Sequence, residues 1–136
     1  MKIVIDTNVF ISGLHWNGLP RKVLRFWQDG KFELVSSLSI IQELTRVLMG
    51  FKVPMPPEDI AWWEEFILQK AVIVIPKQKL NVVKDDPDDD KFIEAAVEGS
   101  AEYIVSKDNH LLKLKTYKKI KIVTPEEFLK EQENNI

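Results

Sequence analysis

The chain contains no cysteine. That single absence excludes disulfides, thiolate-bound zinc, iron–sulfur clusters and a cysteine nucleophile together. Histidine is nearly absent too, with two in 136 residues. A basic balance is also missing: the net charge is −2 and the pI about 5.7. A protein that coats a duplex usually carries a positive excess, so any nucleic-acid role here must rest on local patches. Long apolar runs are lacking. The first, Ile3–Ile5, stops at Asp6, and the longest later one is Ala71–Ile75. Neither approaches a membrane span or the roughly seven to fifteen residues of a secretory leader's apolar segment. A cytoplasmic location without membrane contact is the expectation.

What is present fits one domain. The hydrophobic fraction is 45 % and the aromatic fraction 10 %, enough for a core at a length that buries roughly two-thirds of the unfolded surface. Residues 1–130 are expected to form that domain, with 131–136 a frayed tail. Charge is unevenly spread. Residues 85–102 hold Asp85, Asp86, Asp88, Asp89, Asp90, Glu94, Glu98 and Glu102, whereas 107–121 hold six lysines.

Short apolar runs alternate with helical patterns. Strands are expected at Lys2–Ile5, Glu33–Ser36, Val72–Ile75, Tyr103–Ser106 and Lys121–Val123. Between them, Pro20–Gln28, Leu38–Met49, Glu58–Lys70 and Pro87–Gly99 place apolar residues at helical spacing. Thr7–Gly13 and Asn109–Leu114 suit short helices, and 53–57 (VPMPP) breaks the chain. Thr124, Pro125 and Glu127 form a helix start with an N-cap, Pro at N1 and Glu at N3. Strands that are apolar on both faces and separated by helices argue for a three-layer α/β/α sandwich around a mostly parallel sheet of about five strands.

In such sheets functional groups gather at the carboxyl ends of strands. Asp6 ends the first strand. Asp108 lies two residues past the fourth. Asp90 is near the start of the helix leading into that strand, and Glu43 is on the helix after the second. Four like charges in one crevice cannot all stay ionised without protons or cations. Oxygen ligands without cysteine suit a hard cation, Mg²⁺ or Mn²⁺, and such ions serve phosphodiester hydrolysis.

Four segments then carry a resemblance. Ile3–Ser12 (IVIDTNVFIS), Ser36–Leu44 (SSLSIIQEL), Asp86–Ala96 (DPDDDKFIEAA) and Tyr103–Leu112 (YIVSKDNHLL) resemble, in order, the four motifs of the PIN-domain family. Within it the chain is most similar to VapC-like prokaryotic toxins. The resemblance implies a ribonuclease with Mg²⁺ or Mn²⁺, an RNA substrate and an antitoxin partner. It maps the family's acids onto Asp6, Glu43, Asp90 and Asp108. It also implies that Asn8 and Ser106 orient ligands or water. Spacing to Ser106 and Asp108 favours Asp90 as the third acid, but Asp89 shares a helix face with Phe92 and Ala96 and is the alternative. Leu38 stands where the family often has Pro, which touches a helix start and not the chemistry. Ser106 stands where Thr is commoner, and the hydroxyl is kept.

Bland readings apply to several of these residues. Asp6 and Asp108 suit helix caps, and Asp86, Asp88 and Asp89 suit a helix N-terminus through its dipole. His110 suits the surface. His15 and Trp16 suit either base stacking or a loop anchor. The Trp62–Trp63 pair is more than one buried stripe needs, and an exposed Trp hints at a homodimer, a higher oligomer or an antitoxin contact. A non-catalytic RNA-binding module would share the lysine-rich segment. A phosphoacceptor receiver would need an acid after the third strand, where Pro76 stands. A haloacid-dehalogenase-type phosphatase would need an acid at position 8, which is Asn8.

Overall fold

The computed structural model describes residues 1–50 and 55–134. The expected break at 53–57 lies partly outside them, as do the last two residues of the expected tail.

Six strands form one sheet: β1 (Lys2–Ile5), β2 (Glu33–Ser36), β3 (Val72–Ile73), β4 (Tyr103–Val105), β5 (Thr116–Tyr117) and β6 (Ile120–Val123). Their order is β3-β2-β1-β4-β6-β5. All neighbours are parallel except the antiparallel pair β5–β6. The helices are α1 (Thr7–His15), α2 (Leu19–Gln28), α3 (Leu38–Gly50), α4 (Pro57–Lys70), α5 (Asp90–Glu98), α6 (Asn109–Leu112) and α7 (Pro125–Asn134). This is the expected three-layer α/β/α arrangement.

Side chains alternate across the sheet, as strand geometry requires. Ile3, Ile5, Leu34, Tyr103 and Val105 face one core, with residues of α1, α2, α3, α4 and α7. Val4, Val35, Ile104 and Ile122 face the other, with Phe92, Ile93, Ala95 and Ala96 of α5 and Leu111 of α6. Trp27 anchors the first core, edge-on to Phe10 and Phe66. Gly99 lets the end of α5 approach the sheet: a Cβ there would meet Val35 Cγ1 at 2.5 Å.

Four features differ from expectation. The third strand stops at Ile73, although the Val74 amide still reaches Ser36 O at 2.9 Å; Ile75 projects into solvent and Pro76 has no amide to offer the ladder. A sixth strand, β5, pairs with β6 through a tight turn at Lys118–Lys119, with Lys118 in the left-handed region (φ 54°). α7 runs to Asn134, so residues 131–134, expected as a tail, are helical. Tyr103 donates a short hydrogen bond to Glu131, and the Thr124–Glu127 capping box closes reciprocally at 3.1 Å in both directions. Finally, Pro87–Asp89 form a 3₁₀ turn ahead of α5 instead of its first α-turn.

The segment between β3 and that turn is extended and strapped to α5. Asp90, Glu94 and Glu98, spaced four apart, line one helix face. They accept the amides of Val82 and Val83 (Asp90), Leu80 (Glu94) and Lys77 (Glu98) at 2.8–3.0 Å.

Candidate metal-binding cleft

The chain leaves β1 to build β2 and β3 on one side, then returns to build β4 and β6 on the other. The carboxyl ends of β1 and β4 therefore flank a topological switch point, where open α/β sheets form crevices. A cleft of about 190 Å³ lies there, and its lining includes Asp6, Glu43, Asp86, Asp89 and Asp108.

Asp6 follows β1 and caps α1, accepting the Val9 amide on Oδ1 at 2.9 Å. Its Oδ2 accepts a short hydrogen bond from Ser106 Oγ and the Lys107 amide at 3.4 Å. Ser106 Oγ in turn accepts the Asp108 amide at 2.9 Å. One buried hydroxyl thus ties the ends of β1 and β4 together. Asp108 caps α6, accepting the His110 amide at 2.8 Å. The Asp6 carboxyl is raised above the usual carboxylate range, first by burial. Hydrogen bonds from Ser106, Val9 and Lys107 oppose that rise, and Asp108 adds to it.

Asp89 and Asp90 part company at the 3₁₀ turn. Asp90 points out of the cleft: its Oδ1 receives the Val82 and Val83 amides. The structure thus does not bring Asp90 together with the other expected acids. The tight 3₁₀ turn sets the phase of α5, and the strap claims Asp90's face. Asp89 points into the cleft with Phe92. It is 9 % exposed, and its Oδ2 has no hydrogen-bond donor. Its carboxyl is pushed up to about 8, first by burial, then by the facing Asp108, then by the charges of Asp86 and Asp6.

Two residues not expected in the site join it. Asp86, Asp89, Asp108 and His110 each offer a ligand atom, all within 4.8 Å of one another. His110 Nδ1 lies 3.6 Å from Asp108 and 4.0 Å from Asp86, with its side chain 47 % exposed. The signal for Asp86 was its place ahead of Pro87. For His110 it was the i+2 spacing from Asp108, which puts both on one short helix start.

Glu43 lines the cleft from α3 but is engaged otherwise. Thr7 Oγ1 donates a short hydrogen bond to its Oε2, and Lys91 Nζ lies 2.8 Å from its Oε1. Lys91 also reaches Asp88 at 3.3 Å. Burial works against the Lys91 ammonium, but Glu43 and Asp88 outweigh it and hold its pKa above the ordinary value. Lys91 in turn lowers the carboxyl of the exposed Asp88. Asn8 is exposed at the cleft's edge.

The donor set fits a divalent cation. A buried carboxylate oxygen without a donor faces a second carboxylate, and like charges at that range need a proton or a cation between them. Carboxylates with one imidazole suit Mg²⁺ or Mn²⁺, the imidazole being better tolerated by Mn²⁺.

The PIN domain family model matches residues 2–110. This chain belongs to the PIN-domain family. An uncharacterised protein from Methanocaldococcus jannaschii is 35% identical over 153 aligned positions, covering 100% of this chain and 94% of that protein. Among solved structures, the chain is similar to VapBC2 from Rickettsia felis bound to a DNA fragment from its promoter, with a TM-score of 0.58. That likeness covers 90% of this chain and 97% of the other at 12% identity, and it is a likeness of PIN fold.

Proposed function

We propose that this PIN domain is a metal-dependent endoribonuclease acting as the toxin of a toxin–antitoxin pair. The observation that carries the reading is Asp89: a buried carboxylate against Asp108, its Oδ2 without a hydrogen-bond partner, at the switch point of the sheet. Asp89, Asp108 and Asp86 would hold Mg²⁺ or Mn²⁺, with His110 and Asp6 beside them. When bound, such an ion supplies positive charge for a phosphodiester oxygen and makes water more acidic. Ser106 fixes the spacing of Asp6 and Asp108 through its two hydrogen bonds. Asp6, with its raised carboxyl, is suited to accept or hold a proton at the cleft floor. Lys107, Lys113 and Lys115 follow Asp108 closely in sequence and would track an RNA backbone.

Family membership supports nuclease chemistry, and a toxin–antitoxin complex among similar folds supports an antitoxin partner. Trp62, 55 % exposed and stacked on Phe66, suits an antitoxin or homo-oligomer contact on α4. Among the described residues no helix is long and apolar enough to cross a membrane, and a cytoplasmic place of action fits an RNA substrate.

The test is cleavage of structured and single-stranded RNA by purified protein with Mg²⁺ or Mn²⁺, with EDTA, and after Asp6→Asn or Asp108→Asn. Cleavage lost with EDTA and in both variants is expected. RNA binding without any cleavage would favour a non-catalytic module.

A further inference from the structure

The cleft is divided. Its floor and one wall, Asp6, Asp86, Asp89 and Asp108, gather negative charge, with the half-exposed His110 beside them and no lysine or arginine among the described lining residues. The opposite wall already carries a cation. The Lys91 ammonium sits 2.8 Å from Glu43 and 3.3 Å from Asp88, on a side chain only 14 % exposed. The remaining Glu43 oxygen is taken by Thr7. Glu43 is thus fully partnered, whereas Asp89 keeps an oxygen with no donor.

From this contrast we infer that Lys91 is the resident cation of the Glu43 wall, so that this cleft takes one divalent ion at the Asp86–Asp89–Asp108 side and not a second at Glu43. A fixed ammonium and a divalent ion cannot share the same carboxylate at close range without strong repulsion. Lys91 is here a positioning residue. It holds Glu43 against α5 and caps the charge that the cleft presents. The inference rests on the metal-dependent reading above and refines the number and place of ions.

The test is titration of the full-length, metal-stripped protein with Mn²⁺, counting bound ions by calorimetry and by the electron paramagnetic resonance signal of free Mn²⁺. Wild type is expected to bind one ion per chain, and Lys91→Met two. Glu43→Gln is expected to leave the affinity of the first ion within about threefold of wild type, whereas loss of a true ligand costs roughly tenfold or more. The double variant Lys91→Met with Glu43→Gln, which removes both charges of that ion pair, is expected to return to one ion. Equal stoichiometry in wild type and Lys91→Met, or a tenfold weaker first ion in Glu43→Gln, overturns the inference. Should Lys91→Met not fold, the Glu43→Gln affinity decides alone. A wild-type protein that binds no Mn²⁺ at millimolar concentration overturns the metal reading itself, and the inference with it.

Discussion

Asp89 and Asp90 adjoin in sequence and face opposite ways. Asp90 looks toward the strap and receives two backbone amides on one oxygen. Asp89 looks into the cleft, meets other carboxylates and leaves an oxygen without a donor. Both are buried, so burial does not separate a structural acid from a functional one. The partners do. A carboxylate supplied with donors holds the fold, and one packed against like charges stores a demand for a cation or proton.

The largest effect expected from this contrast is on folding. Asp90→Ala leaves the Val82 and Val83 amides without their acceptor. That costs about 1–3 kcal/mol for each buried amide left unpaired, read as a lower midpoint in urea unfolding. If Asp90→Ala were neutral while Asp89→Ala unfolded the protein, the roles of the two acids would be reversed. Next comes ion binding. Mn²⁺ at about a hundred times its dissociation constant is expected to stabilise wild type by roughly 2.7 kcal/mol. Asp89→Asn should lose most of that gain and Asp90→Asn should keep it, as followed by thermal melting with and without EDTA.

The pH dependence has a definite sign. The folded Asp89 carboxyl titrates at about 8, against 3.8 for an ordinary one. Between those values the unfolded chain has released a proton that the folded chain still holds. Metal-free stability from this group therefore falls as pH rises from about 4 and levels off above about 8. Asp89→Asn removes that slope and raises the metal-free melting temperature at pH 7–8. An unchanged pH profile in Asp89→Asn would remove Asp89 from the electrostatic centre of the cleft. The smallest effect belongs to His110. Half exposed and at the cleft's rim, it should weaken Mn²⁺ binding by less than about tenfold on substitution by Ala.

Much of the fold is legible in the sequence because local and tertiary preferences agree there. β1 is apolar on both faces and ends on a capping acid, and Thr124–Glu127 spell out a helix start that closes as written. Helix α3 follows its apolar stripe. The edge hairpin is not legible, because its turn uses Lys118 in a left-handed conformation with no Asn-Gly or Gly to announce it. Within the cleft, Asp6, Glu43 and Asp108 come from strand ends and helix position, and all three line it. The third acid does not. Spacing to Ser106 and Asp108 selects Asp90, but the 3₁₀ turn at Pro87–Asp89 sets the phase of α5, and the strap's amides then select which acid turns outward. The periodicity shared by Asp89 and Phe92 selects the acid that lines the cleft. Asp86 beside His110, and Lys91 on Glu43, depend on side chains from separate elements meeting, which spacing alone does not encode.

The most direct test sets Asp89→Asn and Asp90→Asn side by side in Mn²⁺-dependent RNA cleavage, at a temperature where both variants are folded. Asp89→Asn is expected to lower the rate by at least about 100-fold, and Asp90→Asn to keep it within about threefold of wild type. Full activity in Asp89→Asn with loss in Asp90→Asn would contradict the placement of Asp89 at the heart of the cleft.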